Sequence, residues 1–241
     1  MNKEINPQVY ARVGGVLYLI MIALGIIEEV FIRGRIMAGG DAAATFANLQ
    51  KMEMLWRTGI AIEMLLVVIS IALAVVLYVL TRPVHKELAL MALLFGSTAT
   101  AVESAYSIQL VEALFPLGKS AYLTAFTAGQ LQAMTALAMK AHVFGFGIAL
   151  LLFGPFFFVT GYLIFTSGYF PKPIGVLYQL AGLAYMFNGF GLVLAPQLAG
   201  RLFMIMAGPA FIGETSFAVW LLIKGVRIER WRSRSSGPAA A

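Results

Sequence analysis

Three acidic side chains carry most of the chemistry open to this sequence: Glu63, Glu103 and Glu214, each set within a long apolar run. An ionisable group at that depth in a membrane costs at least about 2.5–3.5 kcal/mol to insert, so each one needs a reason. A carboxyl group in hydrocarbon favours its neutral form and can donate a proton, which suits general acid work. Arg57 and His142 are the basic side chains placed to hold a polar head beside them. Glu63, Glu103 and Glu214 are therefore the candidate catalytic residues, and Arg57 and His142 the candidate substrate-binding residues. The three acids are expected to converge on one pocket, with Arg57 at its mouth. Other polar positions read more simply. Glu29 and Arg33, four apart on a helix, make an ion pair. Glu28 and Glu112 lie at headgroup depth, and Lys140 snorkels.

The elements that carry these residues follow from composition. The chain has 241 residues, is 61% hydrophobic and 12% charged, and has a mean hydropathy of +0.88. A soluble domain carries about twice that charge. The apolar residues fall in runs near the ~20 needed to cross a bilayer. Candidate spans are Val13–Arg33, Leu55–Leu80, Leu88–Phe115, Ala141–Phe165, Ile174–Leu194 and Leu202–Ile223. The fold class is all-α: a polytopic transmembrane bundle of six helices, with short interfacial helices in the two long outer connections. Asp41 is the expected cap of the first short helix and Ser120 of the second, which Gly129 interrupts. The first apolar stretch reads as a retained helix, since no small-x-small cleavage pattern follows it. Residues 1–232 read as one integral membrane domain and 233–241 as a disordered cytoplasmic tail.

Basic residues set the orientation. The short Arg82–Lys86 loop and the Arg227–Arg234 tail place both termini inside, in the cell membrane. The tail suits anionic lipid headgroups, so the expected partners are membrane lipids and a lipid-like or small-molecule ligand, with no nucleic acid. In that orientation the intramembrane charge lies in the outer halves of the helices, which suits a pocket open to one side. Helical phase places Ser97, Thr100, Glu103, Ser104 and Ser107 on one stripe, and Glu63 with Ser70 on another. Gly175, Tyr178, Gly182, Tyr185 and Gly189 step along one face of the fifth span, where small residues let a second helix approach. Gly145 and Gly147 lie in an apolar context with no preceding strand, so they are not a phosphate loop. The chain has no cysteine, which excludes disulfides, thiolate nucleophiles and Cys-type zinc sites. No cofactor or metal site is indicated.

Several short motifs recur in a recognisable order: Ala11–Leu19, Gly40–Thr45, Trp56-Arg57-Thr58-Gly59, Leu77-Tyr78 before Arg82-Pro83-Val84, Gly161-Tyr162-Leu163 with Ser167–Pro171, and Glu214 ahead of Trp220-Leu221-Leu222. In that order they resemble the bacterial multipass membrane proteins grouped as domain of unknown function 4386. The resemblance covers nearly the whole chain and implies a multipass membrane fold, but it transfers no activity and no catalytic residue. From the residues, the leading expectation is an intramembrane enzyme acting on a lipid or isoprenoid-type substrate from an outward-facing acidic pocket. A small-solute or proton-coupled transporter and a non-catalytic accessory or sensor subunit are the alternatives.

Overall fold

A bilayer offers backbone N–H and C=O groups no partner but their own, so apolar runs of this length must close their hydrogen bonds within helices. The computed structural model describes residues 6–236, the side chains of 199–207 excepted, and among them it is all helical. Helix α1 spans Pro7–Ile26 and continues as a π-helical segment, Ile27–Arg33, and a last turn, Gly34–Ile36. It is followed by α2 (Ala42–Lys51), α3 (Glu53–Thr81), α4 (Lys86–Tyr106) and the short α5 (Ile108–Glu112). Then come α6 (Ala128–Ser167), α7 (Lys172–Leu194), α8 (Pro196–Ile223) and α9 (Ile228–Ser235). Five stretches are long and apolar enough to cross a membrane: Pro7–Ile36, Glu53–Thr81, Lys86–Leu117, Ala128–Ser167 and Lys172–Leu194. Gly208–Ile223, taken with α9, brings the number to six among the described residues. The outer surfaces of these helices are apolar. Val68, Phe187 and Val193 are 64%, 68% and 67% exposed, which in lipid needs no covering partner.

By packing, the chain divides into two compact units, and α1, α3, α4 and α6 each contribute to both. The first comprises residues up to Met21, Ile69–Thr100 and everything from Gly147 on. Its main packing device is a glycine zipper between α6 and α7. A Cβ on Gly182 would lie 2.5 Å from the Gly154 carbonyl oxygen and 2.6 Å from the Phe158 nitrogen. A Cβ on Gly175 would lie 2.7 Å from the Gly161 oxygen, and one on Gly189 3.0 Å from the Gly147 oxygen. The backbones therefore touch along the stripe read from the fifth span, and the facing partners are Gly147, Gly154 and Gly161. Phe157, Tyr178, Phe217 and Phe170 form a chain of aromatic contacts beside it. The tail differs from the expectation of disorder from 233 onward: α9 continues through Ser235, and residues 237–241 lie outside the described residues.

The second unit comprises Ile22–Val68 and Ala101–Phe146. Asp41 caps α2 as expected, its Oδ1 accepting from the Ala44 N–H at 2.9 Å. Ser120 precedes a 3₁₀ turn, Ala121–Ala125, without a side-chain cap bond. The true helix start is Thr127: its N–H donates to Gln130 Oε1 (2.8 Å) while the Gln130 N–H donates back to Thr127 Oγ1 (3.3 Å). That capping box starts α6 at Ala128, so Gly129 lies inside the fourth helix and does not interrupt a separate one. The core holds Ile32, Ile36, Leu49, Trp56, Ile60, Leu110 and Met139. Trp56 Nε1 donates to the Leu110 carbonyl at 2.8 Å and Thr135 Oγ1 to the Ala113 carbonyl at 3.1 Å. Those two bonds satisfy carbonyls that the end of α5 leaves without helical partners.

Candidate functional site

Two polar clusters lie within apolar helices, one in each unit. The second unit's cluster begins with the π-helical turn Ile27–Arg33. In a π-turn the backbone bonds i→i+5, and here the Gly34 N–H reaches the Glu29 carbonyl. Residues five apart then stack as residues four apart do in an α-helix. Arg33 accordingly turns toward Glu28, donating from Nη2 at 2.6 Å and Nε at 3.1 Å to Glu28 Oε1. The expected pair with Glu29 forms as well, at 3.7 Å, with Glu29 itself exposed. Glu28 is buried within the protein, where a guanidinium meets it.

Arg33 Nη2 also reaches Glu63 Oε2 at 3.4 Å. Glu63 is buried on α3, and its other oxygen, Oε1, accepts from Ser107 Oγ at 3.2 Å and lies 3.8 Å from His142 Nε2. His142, on α6, is buried too. Glu103, on α4, is half-buried, within electrostatic reach of Glu63, Glu28 and Arg33. Its carboxylate makes no hydrogen bond or ion pair among the described residues. Beside the cluster, Glu28, Ile32, Arg33, Trp56, Gly59, Ile60 and Leu110 line a crevice of about 10 Å³, room for roughly one water molecule. The structure thus brings Glu63, Glu103 and His142 together and adds Glu28, Arg33 and Ser107. Arg57 is elsewhere: it is exposed and pairs with Glu53 at 2.8 Å. The guanidinium in the cluster is Arg33.

Glu214 belongs to the first unit and has its own partners. Tyr185 Oη donates to Glu214 Oε1 at 2.8 Å and Tyr18 Oη to Oε2 at 3.1 Å. Tyr178 Oη donates to Tyr18 Oη at 2.7 Å. Both carboxyl oxygens are thus met by phenols, which are short enough in reach to hold α1, α7 and α8 in one arrangement. Thr215 Oγ1, next in sequence, is buried without a partner among the described residues. The Tyr178 and Tyr185 steps read from the sequence as packing are packing and hydrogen bonding at once, as buried tyrosines usually are.

Residues 13–225 match the family model described as Domain of unknown function (DUF4386). The chain belongs to this family. A curated relative, an uncharacterized protein of Archaeoglobus fulgidus, is 28% identical over 167 residues, covering 68% of this chain and 82% of the relative. No solved structure matches. Both clusters fall inside the family match, while α9 lies beyond it. Neither the family description nor the relative's name states an activity, so the chemistry has to be read from the clusters. Among the described residues, no group of three or more His, Asp or Glu is placed to hold a metal ion.

Proposed function

We propose that this multipass membrane protein binds and releases protons at the Glu28–Arg33–Glu63–Glu103–His142 cluster, as a proton-coupled transporter of a small cationic solute would. One observation carries the reading: three carboxylates gather around one guanidinium and one imidazole, away from bulk water. Charge left unpaired in a low-dielectric setting is costly, so the deficit of cations is met by protons or by a cationic guest. Glu63 is the hub, since Arg33, Ser107 and His142 all address it. His142 Nε2, 3.8 Å from Glu63 Oε1, places an imidazole beside that hub. Glu103, with no hydrogen-bond partner among the described residues, is the group a guest would meet first. In this reading the protein lies in the cell membrane with both termini cytoplasmic, as the basic loop and tail favour.

The lipid-processing enzyme is the second reading, supported by the same unpartnered Glu103 as a proton donor. It needs room for an isoprenoid or acyl chain beside Glu103, whereas proton exchange at the cluster needs no more than the one-water crevice at Glu28. Proteoliposomes loaded with a pH-sensitive dye separate the two. Under an imposed pH gradient, a panel of small organic cations should include members that move protons through wild type and not through Glu63→Gln. Infrared difference spectra between pH 5 and 9 should show a carboxyl group of wild type taking up a proton, a band that should be missing in Glu103→Gln. No cation-dependent proton movement and no titration in that range would sink the transport reading.

A further inference from the structure

The end of α3, the start of α4 and helix α9 bring three cations to one place. Arg82 follows α3 directly, Lys86 opens α4, and Arg234 lies on α9. With Pro83, Trp231 and Ser235 these residues line an open cavity of about 400 Å³, within the ~300–1,000 Å³ range of ligand sites. Among the described residues no carboxylate lines it. Of the neighbouring acids, Glu87 faces His85 at 3.3 Å, and Glu229 lines a separate cavity with Gln8 and Arg227. Arg82 lies over the Tyr78 ring, 5.9 Å from its centroid. Arg234 gives one Nη2 bond to the Thr166 carbonyl at 3.2 Å, and a guanidinium has donors to spare beyond that. Trp231 is buried beneath, its indole N–H held by the Leu80 carbonyl at 3.2 Å. The wall of the cavity is therefore fixed while its cations keep donors for a ligand.

We propose that this cavity binds the phosphodiester headgroup of an anionic glycerophospholipid. Two guanidinium forks and an ammonium match phosphate oxygens in geometry and charge. The setting selects a lipid over free phosphate. Arg82 and Lys86 terminate two apolar spans, at the level where headgroups lie. Helix α9 turns 97° from Gly208–Ile223. It buries Trp231, and with the residue before it carries Arg227, Arg230, Arg232 and Arg234, the pattern of a helix lying in the membrane interface. A bilayer delivers headgroups to such a site at high local concentration, and anionic ones preferentially. The site shares no residue with the carboxylate cluster and stands whether or not that cluster moves protons.

The test is native mass spectrometry of the full-length protein in detergent, titrated with short-chain phosphatidylglycerol or with phosphatidylcholine of the same acyl chains. Phosphatidylglycerol should bind at least about tenfold more tightly, a difference of about 1.4 kcal/mol. Combining Arg82→Gln, Lys86→Gln and Arg234→Gln should weaken it about tenfold or more, whereas Arg227→Gln, in the separate cavity, should leave it unchanged. If the triple variant does not give a monodisperse protein, Lys86→Gln and Arg234→Gln, both at exposed positions, should each show a smaller loss. Equal binding of the two lipids overturns the proposal, as does unchanged affinity in the folded variants. Displacement of phosphatidylglycerol by inorganic phosphate at matching concentrations overturns it as well, by making free phosphate the ligand.

Discussion

Replacing Gly182 with alanine should damage the protein almost as much as replacing it with leucine. The first added atom is the one that cannot fit. A Cβ there would stand 2.5 Å from the Gly154 oxygen, 2.6 Å from the Phe158 nitrogen and 3.0 Å from the Phe158 α-carbon. All three are backbone atoms, so no rotamer change relieves the clash and α6 must move away from α7. Overpacking of a tight core costs about 1–3 kcal/mol, and for a chain of this size each kcal/mol moves the melting temperature by about 2–4 °C. The expected drop is roughly 3–10 °C for Gly182→Ala, with Gly182→Leu at or somewhat beyond the upper end. Gly25 is the control, because nothing lies within 4 Å of a Cβ built on it. Gly25→Ala should be neutral or raise stability by up to about 1 kcal/mol through helix propensity. Thermal unfolding of the detergent-solubilised protein, followed by circular dichroism, reads all three. If Gly182→Ala melts with wild type, or if only leucine destabilises, the backbone-clash argument is wrong.

Three further outcomes follow from particular contacts. Glu214→Leu leaves the Tyr18 and Tyr185 hydroxyls without their acceptor and should lower the melting temperature more than Glu214→Gln, whose amide oxygen still accepts one of them; the reverse order would refute the lock. Burial pushes the Tyr169 phenol above its ordinary value, so the stability it contributes is full below about pH 10 and drains away as pH rises above that, where the unfolded chain ionises first. Tyr169→Phe should therefore be less stable than wild type at neutral pH, having lost the 2.8 Å bond to the Leu80 carbonyl, and the gap should narrow from about pH 10 upward in denaturation curves; a constant gap would contradict it. Reporter fusions at Lys86 and after Gly225 should read cytoplasmic and those near Asp41 and Tyr122 external, and an external signal at Gly225 would overturn the orientation.

The helices are legible in the sequence because apolar length is a strong signal, and so is the Asp41 cap, which needs only a short polar side chain before an Ala-rich run. The start of α6 is legible too, in Thr127 and Gln130 three apart, but Gly129 beside them reads as a breaker. The facing half of the glycine zipper is equally open to reading: Gly147, Gly154 and Gly161 repeat at seven, as Gly175, Gly182 and Gly189 do. The acid cluster is harder. Glu63 and Glu103 announce themselves by their place within apolar runs, and His142 as a basic side chain at a helix end, but α-helical spacing pairs Arg33 with Glu29 alone. A π-turn has no dependable sequence signature, and it is the π-turn that swings Arg33 onto Glu28 and Glu63. Arg57 looks equivalent to Arg33 at the level of sequence, each with a glutamate one turn back; what separates them is the π-turn, which Arg57, on the regular α3, lacks. For Glu214, depth is readable, but its tyrosine partners come from α1 and α7, and only the fold brings them to one carboxyl group.

The arrangement of the zipper also bears on how this protein is assembled during insertion. Its pairs are nested around the Gly168–Pro171 turn: Gly161 with Gly175, then Gly154 with Gly182, then Gly147 with Gly189, each pair seven residues further out on both helices. The innermost pair closes a short loop, and every later one extends a loop already closed, so the entropy of each step is small. Pairings this local form quickly. The two helices should therefore pair as a hairpin, zipped from the turn outward, without waiting for α8 to pack.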